Sequence, residues 1–439
     1  GENQPYGQVW DSLNRALYPV GHPYHHSVIG SMNDLNAASL ADVHQWFRAW
    51  YGPNNAVLVL AGDIDLATAK QKVAQYFGDI PAGPTLSQPR VNVAKRSADT
   101  RQEMTDQVPQ ARIYRAWNVA QTGTLDVDQL QVLGSVLGGA KSSRLAKRLL
   151  HADQLVDNVS AGVFASQLGS NFIVMATVKQ GVEPARVEAI IDEEMGRLLK
   201  DGPSADELER AKTGFRAGFI RGIERIGGFG GKADALAECT VFEGDPGCFR
   251  QSLANIQAMT AEGISAAGRK WLDVGSHTLV VVPGPRVALE EAPAQVPAPF
   301  NLPAPDKRFS TTASTVDRSA GVPRTESFPE LKFPSQQHAV LSNGTRVVLA
   351  QRHEIPVVQL SYQFPGGFSA DQGRKQGTAS FAAGLMDEGA AGRDSLAFGE
   401  ALDALGAAVR VSTSLDSINV TLSALKENLA PSLGLFADL

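Results

Sequence analysis

Few residues in this sequence have the types and spacing to do chemistry, and each group has a competing structural role. The densest imidazole cluster is His22, His25 and His26 in GHPYHHSVIG. Imidazoles are common zinc donors, but three of them in one Gly/Pro-bounded loop do not by themselves point at one centre, so a structural role is favoured. His353-Glu354 would open a His-Glu-x-x-His motif, yet position 357 is Val and the pair lies in a strand region rather than on a helix, so the motif fails. The run Gly134-SVL-GG-AKSS carries the glycines of a phosphate-binding loop, but Ala140 separates Gly139 from Lys141 and a helix precedes it where a strand is required. It reads instead as a glycine turn joining two helices, with Ser142 or Ser143 as cap. There is no Gly-x-Ser-x-Gly elbow, and carboxylate runs such as IIDEEMGRLL read as solvated helix faces. Cys239 and Cys248 flank EGDPG. They either close a small disulfide loop, as in an oxidising compartment, or remain two buried thiols, because geometry decides whether a pair bridges.

The elements that must position these residues belong to a chain of 439 residues, too long for one ordinary core, so two or three domains are expected. Hydrophobic residues at 43% and charged residues at 20% describe a water-exposed globular protein, and no apolar run approaches the length of a membrane span. A formal charge of −6 without a basic stripe argues against a nucleic-acid partner.

In chain order, Val9, Trp10, Leu13, Ala16 and Leu17 recur at helical spacing. SLADVHQWFRAWY predicts a second helix, capped by Ser39, with Val43, Trp46, Phe47 and Trp50 on one face. AVLVLAG then predicts a buried strand, and LATAKQKVAQYF a helix. After the linker-like PAGPTLSQPR, the block from Arg101 to Gly284 alternates strands and helices into one α+β unit. The stretch from Pro285 to about Pro334 is rich in Pro, Ser and Thr and reads as an extended tether. From Gln337 the pattern restarts with a hairpin turning on Asn343-Gly344, then the strand VVQLSYQF. A short buried helix follows from Thr378 to Met386, closed by Gly389, then the helix SLAFGEALDAL and the strand GAAVRVSTS. The chain stops inside a helix that begins near Glu427, and Gly1 is not a start residue, so both ends are expected to be cut.

Taken together, ENQPYG, HPYHHSVIGS, SLADVHQWFRAWYGPNNAVLVLAGDID, GGAKSSRLAKRLL and the restart after the tether are blocks in the order of an M16 metallopeptidase, the insulinase, pitrilysin and processing-peptidase family. The resemblance covers nearly the whole chain. It implies an α+β architecture of repeated lobes with mixed or antiparallel sheets, arranged as a clamshell around a peptide chamber. On that reading residues 1–86 are the end of a catalytic lobe and 87–284 a second lobe. Residues 285–334 are the interdomain linker and 335–439 the start of a third, degenerate lobe in a fused-repeat parent. In the family, two histidines and a downstream glutamate hold zinc, and the glutamate within His-x-x-Glu-His takes a proton from the attacking water. The resemblance implies that these residues lie before Gly1, with the third ligand upstream of Glu2. In the third lobe the motif positions fall on Ser380, Ala383 and Gly384, and the Asn-Ala pair that often lines the cleft reads Arg410-Val411. The chain is therefore expected to be a piece of a zinc endopeptidase that binds no metal itself and cuts nothing alone. Its expected partners are peptide substrates, the missing parts of its own lobes and, by analogy, an M16 partner subunit, in a periplasmic or secreted setting. Two rival readings are a non-catalytic M16 partner protein and an unrelated α+β binding module.

Overall fold

A computed structural model describes residues 3–87, 90–291, 293–294, 302–322, 330 and 333–439. The chain opens with helix α1 (Val9–Leu17), whose Val9, Leu13 and Leu17 form one buried stripe at a spacing of four. Helices α2 (Met32–Ala37) and α3 (Leu40–Trp50) follow, and Ser39 and Asp42 make a reciprocal capping box at the start of α3. The predicted apolar face of α3 exists but is not covered: Val43, Trp46, Phe47 and Trp50 are all exposed, and only Ala49 is buried. The strand expected at AVLVLAG does not form. Val57, Leu58 and Leu60 lie in an exposed stretch without regular structure, because no described segment offers them a hydrogen-bonding neighbour. Helix α4 (Leu66–Phe77), capped by Asp65, completes this part.

The centre of the molecule is built from β1 (Thr100–Asp106), β2 (Arg112–Val119), α5 (Leu125–Gly134), β3 (Val156–Phe164) and β4 (Ser170–Val178). It continues through α6 (Pro184–Asp201), α7 (Ala205–Gly222), α8 (Lys232–Glu243), α9 (Cys248–Ala258) and α10 (Ala261–Leu272) to β5 (His277–Pro283). Two π-helical pieces, Ser135–Gly139 and Ala146–Ala152, follow α5, and the turn between them falls after the glycines, so that Gly138 and Gly139, expected in the turn, lie in the first helical piece. The strands form one mixed sheet in the order β1-β5-β2-β4-β3, in which only β1 and β5 run parallel. Alternation along β2 sorts its residues into two cores. Ile113, Trp117 and Val119 join the large cluster under the helices, whereas Tyr114 and Ala116 join a second cluster under α1. A sheet buried on both faces accommodates consecutive apolar residues such as Phe172, Ile173, Val174 and Met175 of β4.

Cys239, near the end of α8, and Cys248, at the start of α9, form a disulfide across a sequence separation of nine with Cα atoms 5.3 Å apart. Closing so short a loop restricts the unfolded chain modestly. Replacing both cysteines by serine is expected to cost about 2–3 kcal/mol of stability, read as a lower urea midpoint that reductant then leaves unchanged. A wild-type midpoint indifferent to reductant would refute this.

The C-terminal unit consists of β6 (Gln336–Val340), β7 (Arg346–Ala350), β8 (Val357–Pro365), α11 (Thr378–Gly384), the two-residue strands β9 (Gly389–Ala390) and β10 (Arg393–Asp394), α12 (Ser395–Leu405), β11 (Ala408–Thr413), β12 (Ser417–Leu425) and α13 (Leu429–Ala437). The predicted hairpin forms between β6 and β7, with Gly344 at φ +86° in its turn. A three-stranded antiparallel sheet, β11-β12-β8, carries a small core of Leu422 and Ala424 against Leu402, Leu405 and Leu433. Residues 306–318 run back along residues 78–85. Thr312 N–H donates to Gly78 O at 2.8 Å, Thr85 Oγ1 donates to Asp306, and Arg318 pairs with Asp79 at 2.7 Å.

Candidate functional site

Ser380, Ala383 and Gly384, the residues that the resemblance aligns with the zinc motif, lie on α11, but this helix differs from the buried one expected. It ends at Gly384 instead of Met386, Phe381 is 71% exposed, and Ala383 is its one buried residue. Gly389, at φ +148°, starts the β9–β10 turn and does not close the helix. The physical reason is that α11 rests on β11, which carries Arg410 and Val411, and on the short turn Phe368–Asp371, with no second layer over its other face among the described residues. Its start is fixed by the buried Asp371, whose carboxylate accepts Gly377 N–H at 2.8 Å and Ala379 N–H at 3.1 Å. Ser380 offers an exposed hydroxyl, Ala383 a methyl group and Gly384 a hydrogen. This donor set does not fit zinc, which needs imidazole, thiolate or carboxylate ligands, and no group of three His, Cys, Asp or Glu converges among the described residues.

The histidine loop is held by local hydrogen bonds. His22 is buried; its Nδ1 accepts Tyr24 N–H at 3.0 Å, which leaves Nε2 to donate to Asn92 O at 2.9 Å, and the ring stacks on Tyr18 at 4.7 Å. His25 Nδ1 lies 2.7 Å from Tyr18 O and His26 Nδ1 3.1 Å from Ser27 O. Each ring serves a separate backbone group. His353-Glu354 falls in the loop between β7 and β8, outside either strand, with Glu354 3.6 Å from Arg352.

The densest polar geometry occurs where the central unit meets the C-terminal unit. Lys141 reaches Glu388 at 3.1 Å, Lys147 contacts Glu400, and Arg216 reaches Glu427 at 2.8 Å; Arg221 donates to Gly406 O and to Ser423 Oγ. Cations on one side thus face carboxylates and carbonyls on the other. Ser142 belongs to this seam and is not a helix cap: its hydroxyl donates to Asp403 Oδ2 at 2.7 Å. Ser143, the other expected cap, is buried with an Oγ that has no partner among the described residues. Close approach of the units requires Gly406, where a Cβ would come 2.9 Å from that of Ala217 on α7.

Within the seam lies a cleft of about 490 Å³, with Val136, Phe215 and Phe219 as apolar wall and Ser143, Arg210 and Asp403 as polar wall. Arg210 has one long contact, 3.8 Å to Glu400, whereas its neighbour Glu207 is fully engaged by Arg144 at 2.7 Å. The sequence reading did not single out Arg210 or Asp403. The available signal was the pair Gly214 and Gly218, one turn apart in an otherwise good helix former.

The family model described as the peptidase M16 inactive domain matches residues 37–215. The zinc protease PqqE of Helicobacter pylori is 25% identical over 230 residues, 51% of this chain and 51% of that protein. An uncharacterized zinc protease of Mycobacterium leprae is 24% identical over 311 residues, 67% of this chain and 65% of its own. The chain thus spans about half the length of the first relative. Among solved structures, a peptidase M16 inactive domain from Pseudomonas fluorescens has a TM-score of 0.57 at 20% identity, over 67% of this chain and 68% of that one. The periplasmic protease PqqL from Escherichia coli has a TM-score of 0.51 at 15% identity, over 100% of this chain and 50% of its own. At these identities the structural likeness is one of fold. No described helix is long and apolar enough to cross a membrane. Residues 37–215 thus match a domain of the M16 peptidase family, and the chain is similar in sequence to proteins named zinc proteases and in fold to M16 structures.

Proposed function

We propose that this chain is the metal-free part of a fused-repeat M16 zinc endopeptidase, forming wall for a chamber in which peptides or unfolded segments are cut. The observation that carries this reading is α11: it stands between β8 and β11 with Ser380, Ala383 and Gly384 at the motif positions, and none of them can bind zinc or act as a base. Residues 87–284 and 335–439 are the lobes that supply the wall, and 285–334 is the linker that joins the halves. Full-length alignment of the chain to half of PqqL supports the two-repeat parent. A periplasmic or secreted setting is supported by the Cys239–Cys248 disulfide and by PqqL being a periplasmic protease.

The test is activity of the 439-residue chain on an internally quenched peptide with zinc added. The expected result is no cleavage that a chelator abolishes. Chelator-sensitive turnover by purified chain would overturn the reading. A second reading, a non-catalytic M16 partner that binds peptides or stabilises a complex, is favoured by the match to a domain described as inactive. It requires that the polypeptide in its natural full length also lack chelator-sensitive cleavage, whereas the first reading requires that the full-length form cleave.

A further inference from the structure

The seam cleft has a floor, an apolar wall and a polar rim that the proposed scaffold role does not account for. Its floor is the face of α7 carrying Gly214 and Gly218, and at both positions a Cβ would meet nothing within 4 Å. Glycine weakens a helix interior relative to alanine. Crowding does not require it here, so α7 gives up helix stability while keeping the floor clear. Val136, Phe215 and Phe219 make the wall apolar. The rim carries polar capacity that folding leaves unused. Ser143, 4% exposed, has an unpaired Oγ, and Asp403 engages only Oδ2 in its bond from Ser142. Arg210 has one long ion pair, 3.8 Å to Glu400. Buried polar groups are normally paired, so the Ser143 hydroxyl calls for a partner, and the half-buried Arg210 and Asp403 stand beside it on the same wall.

We propose that this cleft is a subsite seating one aromatic or branched apolar side chain of an extended peptide, with the adjoining peptide unit held between Arg210 and Asp403. The volume of about 490 Å³ lies in the ligand-pocket range of about 300–1,000 Å³. Arg210 and Ser143 are donors for a peptide carbonyl, and Asp403 is an acceptor for a peptide N–H. A ligand of either net charge would face a group of its own sign across the rim, whereas a neutral peptide unit matches both. Because Asp403 comes from α12 and the remaining residues from the central unit, an occupied cleft spans the two units.

This inference rests on the chain being part of a peptide-handling enzyme, and its test reads binding rather than cleavage. The probes are a fluorescein-labelled, end-blocked hexapeptide of glycine and serine with one phenylalanine, and its counterpart with aspartate in that place, titrated against the full chain by fluorescence anisotropy. The phenylalanine peptide is expected to bind at least tenfold more tightly. Gly218→Leu, which fills the floor, is expected to abolish that preference while keeping or raising the thermal midpoint; Gly214→Leu should do the same and serves if the first variant misfolds. Gly196→Leu, at an equally open helical glycine on α6 outside the cleft, should leave both affinities unchanged. Arg210→Leu should weaken both peptides. Equal affinity for the two peptides, no binding of either, or an undiminished preference in folded Gly218→Leu protein would overturn the subsite. Chelator-sensitive cleavage by the chain is a separate readout and overturns the scaffold reading without touching this one.

Discussion

Truncating Trp117 to alanine is expected to remove about 3–5 kcal/mol of unfolding free energy, seen as a large fall in the urea midpoint of the central unit's circular dichroism. Trp117 is 1% exposed on β2 and lies opposite Phe172 of β4, their rings edge-to-face with centroids 6.0 Å apart. It fills the space between the sheet and the helix layer, where packing is close and collapse after truncation is only partial. Since whole domains are stable by about 5–15 kcal/mol, the variant should be marginal at room temperature. The indole N–H has no partner among the described residues, so Trp117→Phe removes an unpaired donor and keeps a ring; it should cost less than about 1.5 kcal/mol. If the alanine and phenylalanine variants unfold alike, ring packing is not what Trp117 contributes.

Asp106→Ala should be comparably damaging for an electrostatic reason. This carboxylate, 1% exposed at the end of β1, accepts Tyr6 N–H at 2.8 Å, Gln107 N–H at 2.7 Å and Arg286 Nε at 2.5 Å. It joins the N-terminal segment, the sheet and the chain leaving β5. Removing it strands the largely buried Arg286 guanidinium, and breaking such a pair costs about 3–5 kcal/mol. Burial alone would raise the Asp106 carboxyl, but the bonds from Arg286, Tyr6 and Gln107 outweigh it and hold the group below the usual carboxylate range. A depressed folded pKa contributes stability that is complete above the unfolded value of about 3.9 and is lost as pH falls from there toward the folded value. Urea midpoints of the wild type should therefore drop on acidification below about pH 4, and those of Asp106→Asn should drop less steeply over the same window. Parallel curves would assign the acid sensitivity to other carboxylates.

Local patterns in the sequence were sufficient wherever the determining contacts were local. The Ser39 cap and the Asn343-Gly344 hairpin each depend on neighbours a few residues away, and each is found where the pattern places it. Burial was not legible in the same way. Val43, Trp46, Phe47 and Trp50 define a helix face by spacing alone, but covering that face takes a second layer that no described residue supplies. AVLVLAG has strand composition, yet a strand is a pairing and Val57, Leu58 and Leu60 have no partner in reach. The candidate site was hardest to see for the same reason. Asp403 and Arg210 belong to elements far apart in the chain, and their shared use of one cleft is a product of tertiary packing. That Ser380, Ala383 and Gly384 carry neither imidazole nor carboxylate, by contrast, is a matter of residue identity and holds in any conformation.

None of the three apolar clusters among the described residues crosses from the central unit to the C-terminal unit, and the seam is closed by Lys141, Lys147, Arg216 and Arg221 with their partners. Apolar burial is insensitive to the ions around a protein, whereas exposed charge pairs are screened over about 8 Å at physiological ionic strength. The ion pairs of Lys141, Lys147 and Arg216 should therefore weaken as salt rises, whereas the packing of α7 on α12 at Gly406 and Ala217 should not.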